Sequence, residues 1–256
     1  GETVAGGAVK CWDVEVKEAK AAEKDAWTQV ELHKGAGEKV CISEGTGSDK
    51  GSLVEMIPRP YDAIAGTAKE DGRDVRDYRL CALRDAVGIV LQKNVLFSGT
   101  IRDNLRWGDP EASDETLWAA CRAACADEFL EKMPDGLDTD LGQGGVNVSG
   151  RQKQRLCIAR PLLKRPKVLI FDDSTSAVDT ATEARIRTNL RALPQVTKLI
   201  IAQRITSVMD ADKIVILEDG HIHAVGTHQE LLASDRIYQE IYDSQMKGGA
   251  IHGEAI

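Results

Sequence analysis

Residues 167–173, "KVLIFDD", constrain the fold more than any other stretch of the chain. An apolar run of strand length with no polar face suits a strand covered on both sides, the environment of parallel strands in an α/β sheet. The two carboxylates that close it fall where such a strand leaves the core, and ligands of open α/β sheets collect at that edge. Short apolar runs recur at "EKVCIS" (38–43), "VGIVL" (87–91), "TKLIIA" (197–202) and "KIVILEDGHIHAV" (213–225). The last is predicted to be a hairpin turning at Asp219-Gly220. Helical patterns lie between and after them. Ser113 is placed to cap a helix through "DETLWAACRAACADEFLEKM", residues 149–163 suit a basic amphipathic helix, and "THQELLASDRIYQEIYDSQ" is helical. This alternation predicts a sheet flanked by helices, with the segment from about 93 to 148 inserted between two halves of one core. "WDVEVKEAKAAEKDAW" reads as a solvated hairpin edge.

Composition removes several function classes. The net charge of the 256 residues is -8, whereas a duplex-binding surface needs clustered Lys and Arg, so nucleic acid is not an expected partner. No apolar run reaches the roughly 18 to 20 residues that span a bilayer, and no secretory signal opens the sequence. Six cysteines without CxxC spacing read as reduced core thiols in a cytosolic setting, neither a disulfide frame nor a zinc site. His221, His223 and His228 read as surface or turn residues, and Tyr238 and Tyr242 as packing for the last helix.

A damaged phosphate loop stands after the first apolar strand. "EGTGSDKGSLV" (44–54) follows the spacing G-x-x-x-x-G-K-[ST], but Glu44 and Asp49 occupy the glycine positions and Gly51 the hydroxyl position. Lys50 survives. Taken alone this is a Gly/Ser turn before a helix. Other segments bear on it. Asp172 at the tip of "KVLIFDD" can hold Mg2+, and Ser149 and Gly150 of "NVSGRQKQR" open a helix whose free N–H groups attract phosphate. Gln92 and Gln203 each follow an apolar strand. Lys50, Gln92, Asp172 and Gln203 are therefore all expected at the carboxyl edge of the sheet.

In this order the segments resemble the nucleotide-binding domain of ABC transporters, of the exporter type. The phosphate loop is "GTGSDKGSLV", the Q-loop "LQKNVLFSGTIRDNLRWG", the signature "VSGRQKQRLCIAR", the Walker B strand "VLIFDD", the D-loop "STSAVD" and the switch "IIAQRI". The likeness is nearly gap-free from about 74 to 245 and weaker from 1 to 73. It implies an ABC-type ATPase core of P-loop NTPase kind, a mixed sheet flanked by helices, with a helical subdomain insertion and an N-terminal antiparallel β subdomain. Residues 1–92 and 154–245 would form the ATP-binding lobe, 93–153 the helical signature lobe and 246–256 a tail. The resemblance further implies ATP and Mg2+ as cofactors. Gly45, Thr46, Gly47, Ser48, Lys50, Ser52 and Gln92 would hold nucleotide, and Asp172 and Gln92 would address the metal. Ser149, Gly150, Arg151 and Gln152 would meet ATP held by a second such domain, with Asp179 crossing between the two. The partners implied are that second domain and the transmembrane domains of an exporter, whose coupling helices the Q-loop region and helical insertion would meet. The setting implied is the cytoplasmic face of the cell membrane.

Departures from the family pattern fall on the chemistry. Asp173 stands where most members carry Glu, and its carboxylate ends about 1.5 Å short, enough to misplace a water. Gln203 stands at the switch His and cannot carry a proton. The pair resembles the degenerate half of heterodimeric multidrug exporters, whose partner supplies the consensus site, so ATPase activity in this chain is expected to be impaired. Glu44 and Asp49 bring carboxylates near a polyanion; at about 5 Å and an effective dielectric of about 20 each costs roughly 3 kcal/mol. Arg151 replaces a signature glycine, Glu18 replaces the aromatic residue that stacks on adenine, and Pro161 is expected to kink the signature helix. An alternative is a pseudo-ATPase that keeps the fold as a partner-binding module without binding ATP. A soluble ABC ATPase of DNA-repair type is disfavoured by the acidic balance and the absence of coiled-coil heptads.

Overall fold

The computed structural model describes residues 14–17, 31–34, 38–44, 57–59, 67–70, 73–91, 93–172, 179–193, 196–202, 204–218 and 221–248. Within these, two sheets form the frame. The smaller comprises β1 (Val14–Lys17), β2 (Glu31–Lys34), β4 (Thr67–Glu70) and β5 (Arg73–Asp74), antiparallel in the order β2-β1-β4-β5. The larger comprises β3 (Lys39–Glu44), β6 (Val87–Val90), β7 (Val168–Asp172), β8 (Thr197–Ile201), β9 (Lys213–Glu218) and β10 (His221–Gly226), in the order β10-β9-β3-β8-β7-β6. All its neighbours run parallel except β10 against β9. This is the mixed sheet and antiparallel subdomain that the resemblance implies. Val14–Lys17 is not an edge, however: β1 is laddered on both sides, by β2 and by β4. An inner position satisfies all of its backbone groups despite its charged sequence.

Side chains that alternate along each parallel strand divide between two apolar layers. Val40, Ile42, Val168, Ile170, Leu199 and Val215 pack with Ala68, Val75 and Leu83, on the side of the smaller sheet. The intervening Leu169 and Phe171 pack with the helices of the insertion, and Cys41, Ile214 and Ile216 with the C-terminal helices. Both faces of the sheet are therefore covered, which is why its strands carry so few polar residues.

The helices are α1 (Leu80–Ala86), α2 (Ile101–Arg106), α3 (Asp114–Ala123), α4 (Asp127–Leu130), α5 (Gly150–Leu163), α6 (Thr180–Arg191), α7 (Ile205–Val208), α8 (His228–Ser234) and α9 (Arg236–Gly248). Ser113 caps α3 as expected, accepting from the Thr116 N–H. The helix does not run on to Met133, because Cys125 takes a left-handed φ of 55° and ends the ladder. The C-terminal stretch likewise divides at Asp235, whose carboxylate accepts from the Tyr238 N–H and starts a new helix. The helix α5 is not simply amphipathic. Gln154, Ile158 and Pro161 are buried on one side and Leu156, Ala159 and Leu163 on the opposite one, since it lies between the sheet and the insertion. It continues past Pro161 to Leu163, so that proline occupies its last turn. Among the described cysteines Cys81 is exposed, against the expectation of core thiols.

Asn104 pins the chain that enters the insertion. Its side chain is buried, accepts from the Phe97 N–H (2.8 Å), and donates to the carbonyls of Phe97 (2.9 Å) and Thr100 (3.0 Å). A few residues on, Gly108 passes so close to α5 that a Cβ there would lie 2.2 Å from the Arg160 carbonyl oxygen.

Candidate functional site

Parallel register brings four distant segments to one edge of the large sheet. The last residue of β7, the half-buried Asp172, stands opposite Ile201. Beyond Ile201, the Ala202 N–H donates to the Ile42 carbonyl (3.1 Å), which keeps the chain beside β3 up to the position before Gln203. The strand β3 ends at Glu44, opposite Leu217, and β6 ends at Val90, opposite Phe171. The backbone therefore delivers Asp172 and the chain ends that lead to 45–52, 92, 173 and 203 to the same edge. Gly45, Thr46, Gly47, Ser48, Lys50, Ser52, Gln92, Asp173 and Gln203 themselves lie outside the described residues, as does Glu18. Asp172 is the one candidate metal ligand within them, and no cluster of three metal-ligating side chains forms among the described residues.

The signature residues open α5. Ser149 is its N-cap, with its hydroxyl accepting from the Gln152 N–H (3.2 Å) while the Ser149 N–H donates to the Gln152 Oε1 (2.8 Å). This reciprocal box satisfies two of the donors that a helix start leaves unpaired. Gly150 and Arg151 are exposed, and a Cβ built on Gly150 would meet nothing within 4 Å. The start of this long helix is thus open on the Gly150 side, with a favourable dipole for an anion. Such a surface fits a phosphate group; the side chains of Ser149 and Gln152, by contrast, each accept from the other's backbone N–H.

Asp179 caps α6 in the same manner, its Oδ1 accepting from the Thr182 N–H at 3.0 Å. The amide and hydroxyl of Thr182 hold the Asp179 carboxyl below the usual carboxylate range. Sequence reasoning missed the group that joins these two helix starts. Arg155, one turn into α5 and largely buried, donates to the Cys125 carbonyl (2.9 Å), the Glu128 carboxylate (2.8 Å) and the Thr182 hydroxyl (3.3 Å), with Asp179 Oδ2 at 3.8 Å. Arg185 pairs with the other Glu128 oxygen and depresses that carboxyl's pKa. One guanidinium therefore ties the signature helix to the insertion and to the helix after the D-loop. A second tie joins α6 to the switch side: the buried Glu183 accepts from the Ser207 hydroxyl (2.5 Å) and lies 3.6 Å from Arg204. Nothing in the spacing of these residues reveals partners 24 to 30 positions away. The histidines also gain definite partners. His223 bridges Glu218 (3.3 Å) and Asp235 (2.8 Å), and His228 bonds the hydroxyl of the buried Tyr238 (2.7 Å).

The sequence matches the ABC transporter family over residues 27–176. It is 42% identical over 218 residues to the uncharacterized ABC transporter ATP-binding protein YwjA of Bacillus subtilis, covering 85% of this chain and 38% of that protein. A putative multidrug export ATP-binding/permease protein of Staphylococcus aureus is 42% identical over 210 residues, covering 82% of this chain and 36% of its own length. The chain thus spans less than two fifths of either relative. Among solved structures, a bacterial Atm1-family ABC exporter with ATP bound superposes with a TM-score of 0.88 at 32% identity, covering 96% of this chain and 44% of that one.

Proposed function

The chain belongs to the ABC transporter family, and from that premise we propose that it is the ATP-binding domain of an exporter and the degenerate member of a heterologous pair. The observation that carries this reading is the open start of α5 at Gly150, joined through Arg155 to Asp179. Two surfaces that would face a partner's nucleotide are thereby held by one chain. Bound MgATP would supply the hydrolysable phosphoanhydride; the chain's own residues bind and orient. Lys50 and the amides of Gly45, Thr46, Gly47 and Ser48 would hold phosphate with Ser52 close by, and Asp172 with Gln92 would hold the metal. Asp173 and Gln203 are poor at orienting a water and stabilising charge, so turnover falls to the composite site completed by a consensus partner. Residues 1–92 and 154–245 act as the nucleotide lobe and 93–153 as the signature lobe, at the inner face of the membrane beside transmembrane domains.

The reading is tested by measuring MgATP affinity, and nucleotide-dependent association with a consensus partner domain, for the chain and for a Glu44→Gly/Asp49→Gly/Gly51→Ser version. Binding at micromolar to low millimolar levels that tightens on repair supports it; no binding at several millimolar in either version refutes it. A second reading, the pseudo-ATPase, is favoured by one observation. The ladder of β3 continues through Glu44 opposite Leu217, so the position of the first loop glycine is held in a strand. That reading expects partner association without nucleotide.

A further inference from the structure

In sequence, Gln203 lies between two stretches of chain that the fold anchors. On the N-terminal side the Ala202 N–H is tied to the Ile42 carbonyl of β3. On the C-terminal side Arg204 leads directly into α7, for which it is the N-cap, and its side chain makes no cap bond. A guanidinium carries no acceptor, so it cannot serve the N–H groups that a helix start leaves without partners. The Ile205 N–H instead donates to Gln245 Oε1 at 2.7 Å, an acceptor that α9 supplies from 40 residues further on. One side chain of α9 thus completes the turn that follows position 203.

Residues 204–210 are also held from both flanks. From α6, the buried Glu183 accepts from the Ser207 hydroxyl (2.5 Å) and lies 3.6 Å from Arg204, while Arg187 donates to the Thr206 carbonyl (2.6 Å) and Arg191 pairs with Asp210. From the other flank, Ile205 and Val208 share an apolar cluster with Tyr238, Ile241 and Tyr242 of α9. The far end of α9 is itself rooted. Asp235 accepts from the Tyr238 N–H (2.7 Å), and Gln239 donates to the Leu232 carbonyl (2.8 Å). Gln245 differs from the α6 contacts in kind, because it fixes a backbone N–H and so the direction in which the chain leaves position 203.

We propose that Gln245 is a positioning residue for the switch: α9 acts as a strut whose hydrogen bond to Ile205 sets the start of α7. The inference rests on the reading of position 203 as the switch, and adds a control point on a helix away from the nucleotide edge. Displacing α9 frees the chain that follows the switch. Coupling between two sites is reciprocal. MgATP therefore protects the Ile205 amide, and removing the strut weakens MgATP.

Hydrogen exchange of the Ile205 amide, followed by NMR on the whole chain, reads the strut without nucleotide. Gln245→Leu removes the acceptor and keeps the bulk. Its Ile205 amide is expected to exchange about tenfold faster, the equivalent of one hydrogen bond. Gln245→Glu keeps an oxygen at the same reach, beside a helix start that favours negative charge, and is expected to exchange no faster than the parent. Gln239→Ala removes a different bond of the same helix and is expected to leave Ile205 unchanged. A parental rate in Gln245→Leu, or equal acceleration in Gln239→Ala, overturns the proposal. MgATP titration of the same variants, built into the Glu44→Gly/Asp49→Gly/Gly51→Ser version, supplies the second readout. Gln245→Leu is expected to weaken MgATP about threefold or more, and Gln245→Glu to stay within about twofold of the parent. Unchanged affinity beside faster exchange makes Gln245 a helix cap only and also overturns the proposal. If the repaired chain binds no MgATP at several millimolar, the nucleotide reading alone falls, and the exchange rates still decide the strut.

Discussion

Replacing Asn104 with Ala tests how the first turn of chain in the insertion is held. The side chain makes three hydrogen bonds to backbone groups of Phe97 and Thr100, and only one amide orientation satisfies one donor and two acceptors at once. Each buried bond contributes about 1 kcal/mol, and orphaned partners lose solvation besides. The expected loss is therefore about 3 kcal/mol, or roughly 6 to 12 °C in Tm for a domain of this size. Urea and thermal unfolding, followed by near-ultraviolet signals, give the value. Asn104→Asp is the sharper variant: it keeps an acceptor for the Phe97 N–H but turns a carboxylate toward two carbonyls, so it is expected to destabilise at least as much as Ala. A loss below about 1 kcal/mol for Ala, or wild-type stability for Asp, would refute the argument.

Three other substitutions probe neighbouring features. Gly108→Ala is expected to cost about 3 kcal/mol or more in the same unfolding assay, because the new Cβ meets the Arg160 carbonyl oxygen at 2.2 Å and backbone cannot yield as a side chain would. Gly150→Ala meets nothing within 4 Å, so stability should change by less than about 0.5 kcal/mol while nucleotide-dependent association with a partner domain weakens. Arg155→Lys keeps the charge but not the fork that reaches Cys125, Glu128 and Thr182; a loss of about 2 kcal/mol is expected by denaturant titration. On acidification, Glu128 and Asp179 both have depressed folded-state pKa values. Their contribution is complete above the ordinary carboxylate range of about 4 and is lost as pH falls through the folded values. Glu128→Gln and Asp179→Asn should accordingly lose less stability than the parent between about pH 5 and pH 3; an unchanged acid limb would show that these pairs do not persist in solution.

Much of the sheet was legible because burial on both faces leaves its mark on every strand residue. "KVLIF", "VGIVL", "TKLIIA" and the closing hairpin all fall within a residue or two of their predicted limits. Helix ends were less legible. A left-handed Cys125 divides a stretch that periodicity reads as one helix, and the burial of α5 on two sides follows from tertiary position, which no local pattern encodes. Of the candidate site, the order of motifs fixes which strand ends should converge, and the register brings Asp172, Glu44 and Ile201 to one edge. The ties through Arg155 and Glu183 were invisible, since which charged residues are buried and paired is decided by packing, not by local pattern.

The place of β3 in the sheet bears on how the chain acquires its shape during synthesis. Both neighbours of β3, β8 and β9, are made more than 150 residues later. Its first residue is also clamped by late partners: the Lys39 N–H donates to Asp212 (2.7 Å) and the Lys39 ammonium pairs with Asp210. While the ribosome is still adding the signature helix, β3 has no ladder to join, and its Cys41 face still lacks the C-terminal helices that cover it. Non-local closure of this kind is slow and leaves sticky intermediates. A nascent chain stalled before residue 197 should therefore recruit chaperones through 38–44, and the centre of the sheet around β3 becomes its last part to take form.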